Sequence, residues 1–181
     1  QSASNPSFLP LQRTAELDAM KWIAITPEIQ PPNDRWVTLR KDGVLVARNG
    51  AVVEHDRPIV SFAVGGAGIA ALDVDGAVWN LPWPDADSQQ PVKVAGFGDP
   101  PSGIRQVVAL RSNRAYHYAL NRAGQLYRWA HTSTAAQRMT DQAGIQADWD
   151  LVDWVPQDRQ SSGLGFGITQ DGKLRAPERF A

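Results

Sequence analysis

Four stretches of the chain alternate apolar and polar residues on both sides of a glycine. In the first stretch, Leu39 stands four positions before the glycine and Leu45 two positions after it, and the other three stretches repeat this spacing with Leu, Ile or Val. The glycines are Gly43, Gly76, Gly124 and Gly172, and three of them follow an aspartate. Alternation interrupted by Asp-Gly is a strong signal of a β-hairpin, because the turn needs a positive φ that a Cβ disfavours. The pattern predicts four hairpins, each with its apolar residues on one face.

Further apolar segments flank these hairpins. The preceding ones are 22–25, 59–64, 104–110 and 149–155, and the following ones are 51–53, 91–94 and 137–139. A unit of three or four antiparallel strands and about 40 residues has the size of a propeller blade. We therefore predict an all-β, single-domain fold over residues 1–181, a small β-propeller-like array of four antiparallel hairpin or blade units. Their approximate bounds are 21–54, 58–95, 103–140 and 148–181.

The fourth unit has little sequence left for a final strand. We expect residues 1–20 to act as an N-terminal closing segment, in which a strand at 8–12 pairs with the last unit. Such pairing covers a sheet edge that would otherwise recruit other chains. The pattern leaves the oligomeric state open, because four units could close alone or two chains could share a larger ring.

One unit carries a motif that resembles a known repeat. Residues 118–129 read Tyr-Ala-Leu-Asn-Arg-Ala-Gly-Gln-Leu-Tyr-Arg-Trp, which is similar to the repeat of the regulator of chromosome condensation family. Residues 71–79 and 168–174 match more loosely, and the tectonin-like propeller repeat is comparably similar. The resemblance implies a β-propeller, although that family is usually seven-bladed and its glycine after the Trp is here Ala130. It implies no nucleotide-exchange or chromatin activity, because a fold does not determine a function.

Composition excludes several classes of function. Lys and Arg number 18 and Asp and Glu 19, which gives a formal charge of −1, whereas nucleic-acid and polybasic membrane binders need a surplus of cations. The absence of cysteine rules out disulfides, thiolate-bound metals and thiol catalysis. No apolar run reaches the roughly 18 residues that span a bilayer. Because the chain starts at Gln1, we expect a bacterial protein cut from a secretory signal and hence periplasmic or secreted.

Residues that could carry chemistry are few. The three histidines, His55, His117 and His131, show no metal-ligand spacing. Ser112 lies in no Gly-x-Ser-x-Gly elbow, and no acidic residue stands at a spacing that would indicate a catalytic serine. The sequence therefore predicts no catalytic residue, no metal site and no cofactor.

The candidate contact residues lie in loops or in the strand ends beside them. A polar loop and its flanks, rich in the Arg and Tyr that favour binding hot spots, supply most of them, and Trp83, in a loop between two prolines, is expected to be an exposed anchor. The full candidate set is Trp83, Arg111, Ser112, Asn113, Arg114, Tyr116, His117 and His131.

These features favour a non-catalytic protein–protein interaction module. One concrete form is a periplasmic immunity or inhibitor protein that blocks a partner enzyme through its loops. The alternatives are a carbohydrate- or cell-wall-binding lectin-like propeller and a hydrolase or lyase with a cleft at the propeller mouth. The expected partner is another protein or, in the lectin hypothesis, a glycan, with no nucleic acid and no membrane insertion.

Overall fold

The computed structural model describes residues 20–25, 36–84, 90–97, 107–113, 115–139, 150–156 and 165–176, with the backbone alone for the first range. These residues form four separate antiparallel sheets and contain no helix. The prediction of an all-β array of four units is confirmed. None of the described segments is a helix of the length and hydropathy that crossing a membrane requires.

Each sheet is one unit, and its strands follow one another in chain order. Unit 1 contains β1 (Met20–Ile25), β2 (Trp36–Arg40), β3 (Leu45–Ala47) and β4 (Val52–Val53). Unit 2 contains β5 (Ile59–Gly65), β6 (Gly68–Asp73), β7 (Val78–Leu81) and β8 (Val92–Val94). Unit 3 contains β9 (Val107–Ser112), β10 (Tyr116–Asn121), β11 (Leu126–Ala130) and β12 (Gln137–Arg138). Unit 4 contains β13 (Leu151–Pro156), β14 (Gly165–Thr169) and β15 (Leu174–Arg175).

The four glycines occupy matching bends between the second and third strands of their units. Their φ angles are +86°, +89°, +70° and +77° in chain order. Each glycine N–H donates to the carbonyl three residues earlier, at 2.9–3.1 Å. This geometry is a three-residue loop that ends in a left-handed residue. The flanking apolar residues pair across the strands in one register: Leu39 with Leu45, Leu72 with Val78, Leu120 with Leu126 and Ile168 with Leu174.

A polar side chain at the start of the bend braces three of the four hairpins. Asp73 Oδ1 accepts the N–H of Ala77 at 2.8 Å. Asn121 Oδ1 accepts the N–H of Gln125 at 2.8 Å, and Thr169 Oγ1 accepts the N–H of the residue four positions later at 3.1 Å. Because Asp, Asn and Thr all place an oxygen where it can accept a backbone N–H, one structural role is filled by three residue types.

The first strand of every unit carries an irregularity near its start. The pairing with the second strand shifts by one residue in all four sheets. A β-bulge adds one unpaired residue and increases the local twist of the strand. The extra residues are at positions 21, 60, 108 and 152, and their recurrence on the first strand of every unit is a second sign of the repeat.

Consecutive units pack face to face through two kinds of surface. We call the forward face the one formed by the residues six and four positions before the glycine and two after it, and the rear face its opposite. Three apolar cores join the forward face of one unit to the rear face of the next. The buried forward-face residues are Val37, Leu39 and Leu45 in unit 1, Ala70, Leu72 and Val78 in unit 2, and Tyr118, Leu120 and Leu126 in unit 3.

The units form an open series. The first strands contact one another in chain order, β1 with β5, β5 with β9 and β9 with β13. Over the described ranges, no strand of unit 4 pairs with a strand of unit 1. The predicted closing strand at 8–12 lies outside the described residues.

Candidate functional site

The predicted contact loop lies where two tight turns meet at the junction of units 2 and 3. One turn joins β9 to β10, and the other joins β5 to β6 at Gly65–Gly68. His131, from the loop after β11, bridges them, because its Nδ1 accepts the N–H of Ala67 at 3.1 Å. A Cβ on Gly65 would overlap the His131 ring, so this close approach requires glycine. The residues that meet here, Ser112, Asn113, His117 and His131, are termed the turn cluster below.

Two imidazoles form the interior of the turn cluster. His117 is fully buried, and its ring centroid lies 4.2 Å from that of His131. Ser112 Oγ lies 2.6 Å from His117 Nδ1, with the two residues paired across β9 and β10. The Nε2 atom of His117 is buried and has no hydrogen-bond partner in the part of the chain that the structure covers, whereas the buried Nε2 of His131 lies near the backbone carbonyl groups of Tyr116 and Asn113.

Both histidines are neutral near pH 7. Burial, and next the adjacent His131, hold the pKa of His117 well below its usual value. Burial also lowers the pKa of His131, although the carbonyl groups of Tyr116 and Asn113 favour its protonated form. Because His131 accepts a hydrogen bond at Nδ1, its neutral ring carries the proton on Nε2.

Asn113 fixes the shape of the β9–β10 turn. Its Oδ1 accepts the N–H groups of Ala115 at 3.0 Å and Tyr116 at 2.8 Å, and its amide donates to the Tyr118 hydroxyl at 3.1 Å. An asparagine that bonds to the following backbone in this way is a common turn former. The turn is therefore rigid and presents Tyr116 in a set position.

A second group of predicted residues lies on the forward side of the same turn. Tyr116 is half-buried beneath the Arg128 guanidinium, whose carbon is 4.5 Å from the ring centroid. Arg111 forms a 2.7 Å ion pair with Asp153 of unit 4. The arginine side chain is 43% exposed, so the pair contributes little to stability. We call Arg111, Tyr116, Arg128 and Asp153 the Tyr116 patch.

The predicted exposure of Trp83 is wrong. Trp83 is only 3% exposed and belongs to the apolar core between units 1 and 2. The strand before it ends at Leu81, which is also buried, and the chain then turns the indole inward where it adds apolar area to the core. Arg114, another predicted contact residue, lies outside the described residues.

Arg128 and Asp153 were not predicted. Arg128 pairs with Tyr118 in the hairpin, so strand alternation could have placed it on the face that carries Tyr116. Asp153 comes from the next unit, and no local sequence pattern predicts its contact with Arg111. The sequence could therefore have predicted Arg128 as part of the patch, but not Asp153.

The turn cluster has one feature of a nucleophilic site. The 2.6 Å between Ser112 Oγ and His117 Nδ1 matches the separation of an activated serine and its base. Yet the depressed pKa of His117 makes it a weak proton acceptor. Over the described part of the chain, no three His, Asp or Glu side chains meet as a metal site.

Four twisted antiparallel sheets that pack face to face in chain order define the β-propeller class. Solved propellers share this fold. Human WBSCR16 matches 90% of this chain with 48% of its own, at 13% identity and a TM-score of 0.60. Prp20p from Saccharomyces cerevisiae aligns with 77% of this chain over 40% of its own length, at 14% identity and a TM-score of 0.52. BBS1N in complex with ARL6DN aligns with 90% of this chain over 52% of its own length, at 10% identity and a TM-score of 0.54.

The chain spans about half the length of these solved structures. At such low identity the likeness establishes the fold alone. No protein-family profile and no curated protein sequence matches the chain.

Proposed function

We propose that this protein is a non-catalytic protein-interaction module and that its partner contacts the Tyr116 patch. The observation that carries the proposal is a half-buried tyrosine stacked under an arginine, with a second, partly exposed arginine on the adjacent strand of the same sheet. Tyrosine and arginine dominate binding hot spots, since they combine large contact area with directional hydrogen bonding.

The rigidity of the turn supports the same proposal. Asn113 holds the backbone on both sides of Ala115 through hydrogen bonds of 2.8–3.0 Å. A surface that is ordered before binding loses little conformational entropy on association. Two propellers with this fold also have protein partners: Prp20p binds Gsp1p and histones, and BBS1N forms a complex with ARL6DN.

A more specific form of the proposal is a bacterial, periplasmic or secreted immunity or inhibitor protein that blocks an enzyme. A rigid scaffold with a few anchoring side chains is sufficient for such a role. The lectin-like alternative would use Trp83 and the hairpin aromatics to stack on sugar rings, and Trp83 is buried. The hydrolase or lyase alternative would need a base such as His117 or His131, and burial lowers the pKa of both imidazoles, which makes them weak bases.

Photocrosslinking tests the proposed surface directly. A chain with benzoylphenylalanine in place of Tyr116 should form one defined adduct with a protein of its native cells. The matched control carries the same probe at Val74, which is 41% exposed in the β6–β7 hairpin, at the opposite end of the strands from the β9–β10 turn. We expect no adduct from the control.

Affinity for the captured protein completes the experiment. Tyr116→Ala should weaken binding at least tenfold, which corresponds to about 1.4 kcal/mol, without a change in the circular-dichroism spectrum. An adduct that forms at Val74 instead, or a partner that binds Tyr116→Ala as tightly as the parent chain, would contradict the assignment of the surface.

A further inference from the structure

The forward face of unit 4 differs from the other three in its burial. At the position two residues after the glycine, Leu45 and Leu126 are buried, whereas Leu174 is 69% exposed. Four residues before the glycine, Leu39 is fully buried, whereas Ile168 is 36% exposed. In units 1 to 3 the next unit covers these positions. Unit 4 carries Ile168 and Leu174 at the equivalent positions, and both are exposed in the part of the chain that the structure covers.

Val155 extends the same surface onto the first strand of unit 4. It pairs with Phe166, which lies six residues before the glycine, and is 52% exposed. The exposed apolar residues therefore run across β13, β14 and β15. A contiguous apolar surface of this kind on a sheet face marks an interaction site.

The rear face of unit 1 has the complementary character. Val46 and Val52 pair across β3 and β4 on this face, and Val52 is 45% exposed. The residues equivalent to Val52 in units 2 and 3 are the charged Lys93 and Arg138, as their strand pairing shows. Unit 1 therefore presents an apolar residue on its rear face where the following units present a cation.

Trp36 adds to the rear face of unit 1. It stands seven residues before the glycine, where units 2 and 3 have the fully buried Ile69 and His117. Trp36 is only half-buried, whereas Thr38, next to it on the same face, is buried. The rear face of unit 1 is therefore partly open, with its accessible apolar area near Trp36, Val46 and Val52.

We propose that a second copy of this chain binds the forward face of unit 4 through the rear face of its own unit 1. Within the chain, forward and rear faces join at three successive junctions, and the same contact between chains continues that series. The four units match about half of larger propellers. Two chains joined at both ends therefore contain enough units for one ring, and that ring has the twofold symmetry most common among dimers.

The proposed contact is separate from the closing strand predicted at 8–12. An added strand would pair with the edge of unit 4 and hydrogen-bond to its backbone. The second copy would instead cover the sheet face, where Ile168 and Leu174 project. Both contacts can be present in one assembly.

Light scattering coupled to size exclusion tests the dimer with the full chain. We expect twice the mass of one chain at about 50 μM protein, a concentration at which a micromolar Kd leaves little monomer. Ile168→Glu on the forward face and Val52→Glu on the rear face should each yield the monomer mass. The matched control Val108→Glu changes a valine whose exposure, 47%, is close to the 45% of Val52, on the first strand of unit 3, and should leave the dimer intact.

Crosslinking separates the head-to-tail arrangement from other dimers. The chain has no cysteine, so Val52→Cys and Leu174→Cys chains can be mixed and treated with a short bismaleimide. We expect a covalent product from the mixture and none from either variant alone. A monomer mass for the parent chain, a dimer that survives Val52→Glu, or crosslinking of Leu174→Cys chains to one another would each overturn the proposal.

Discussion

Replacement of Gly43 by alanine is expected to lower the free energy of unfolding by about 2–5 kcal/mol, more than the equivalent change at Gly172. Both glycines have a positive φ, +86° and +77°, and a left-handed conformation costs other residues roughly 1–2 kcal/mol. At Gly43 the new Cβ would also lie 2.6 Å from Pro58 Cβ and 2.8 Å from its Cα. That contact forces unit 2 to move, at an added cost of about 1–3 kcal/mol.

Gly172 is the control for the bend itself, because a Cβ there would meet nothing within 4 Å. Gly124 provides an independent repeat of the experiment, since its Cβ would lie 2.7 Å from the Leu151 nitrogen of the next unit. Urea denaturation of Gly43→Ala, Gly124→Ala and Gly172→Ala measures all three changes. Equal losses of stability would show that the hairpins do not contact the next unit as the structure has them.

The second large effect concerns a leucine that recurs at one repeat position. Leu45→Ala and Leu126→Ala should each lower the free energy of unfolding by about 2–5 kcal/mol, the cost of a cavity in a packed core. Leu45 is 1% exposed in the core between units 1 and 2, and Leu126 is 3% exposed in the core between units 3 and 4.

Leu174→Ala is the matched control, because it makes the same chemical change at the same position of unit 4. An exposed leucine should change stability by no more than about 0.5 kcal/mol. The comparison is made by thermal unfolding at submicromolar protein, so that association between chains does not contribute. Three equal losses of stability would mean that a further unit already covers unit 4.

The hairpins could be predicted because their determinants are local. A glycine is needed where φ is positive, and the alternation around Gly76, for example, places Leu72 and Val78 on one face. The same two signals recur at fixed spacing in all four units, so the repeat was readable without any long-range contact. The bracing residue at the bend was missed because its chemistry varies between units.

The interior of the turn cluster could not be predicted in the same way. Ser112 and His117 were candidates as residues of a loop and a strand, but their hydrogen bond depends on the register of β9 against β10. The length of the tight turn between the two strands sets that register, and the sequence has no clear signal for this length. The contact of His131 with Ala67 spans 64 residues and depends on how units 2 and 3 pack.

Trp83 shows the limit of reasoning from a loop's composition. Flanking prolines correctly placed it after a strand, because the strand ends at Leu81. They carried no information on the direction of the side chain, which the apolar core of units 1 and 2 determines. Local pattern therefore predicted the elements, and packing between units determined which side chains are available for binding.

The central claim is that one hairpin design, in one register, is used four times. Methyl NOE spectroscopy on the full chain measures it most directly, since directly paired side chains in a sheet have Cβ atoms about 5 Å apart. The account predicts cross-strand NOEs for four pairs: Leu39 with Leu45, Leu72 with Val78, Leu120 with Leu126 and Ile168 with Leu174. A register displaced by one residue in any unit, or a pair without an NOE, would contradict it.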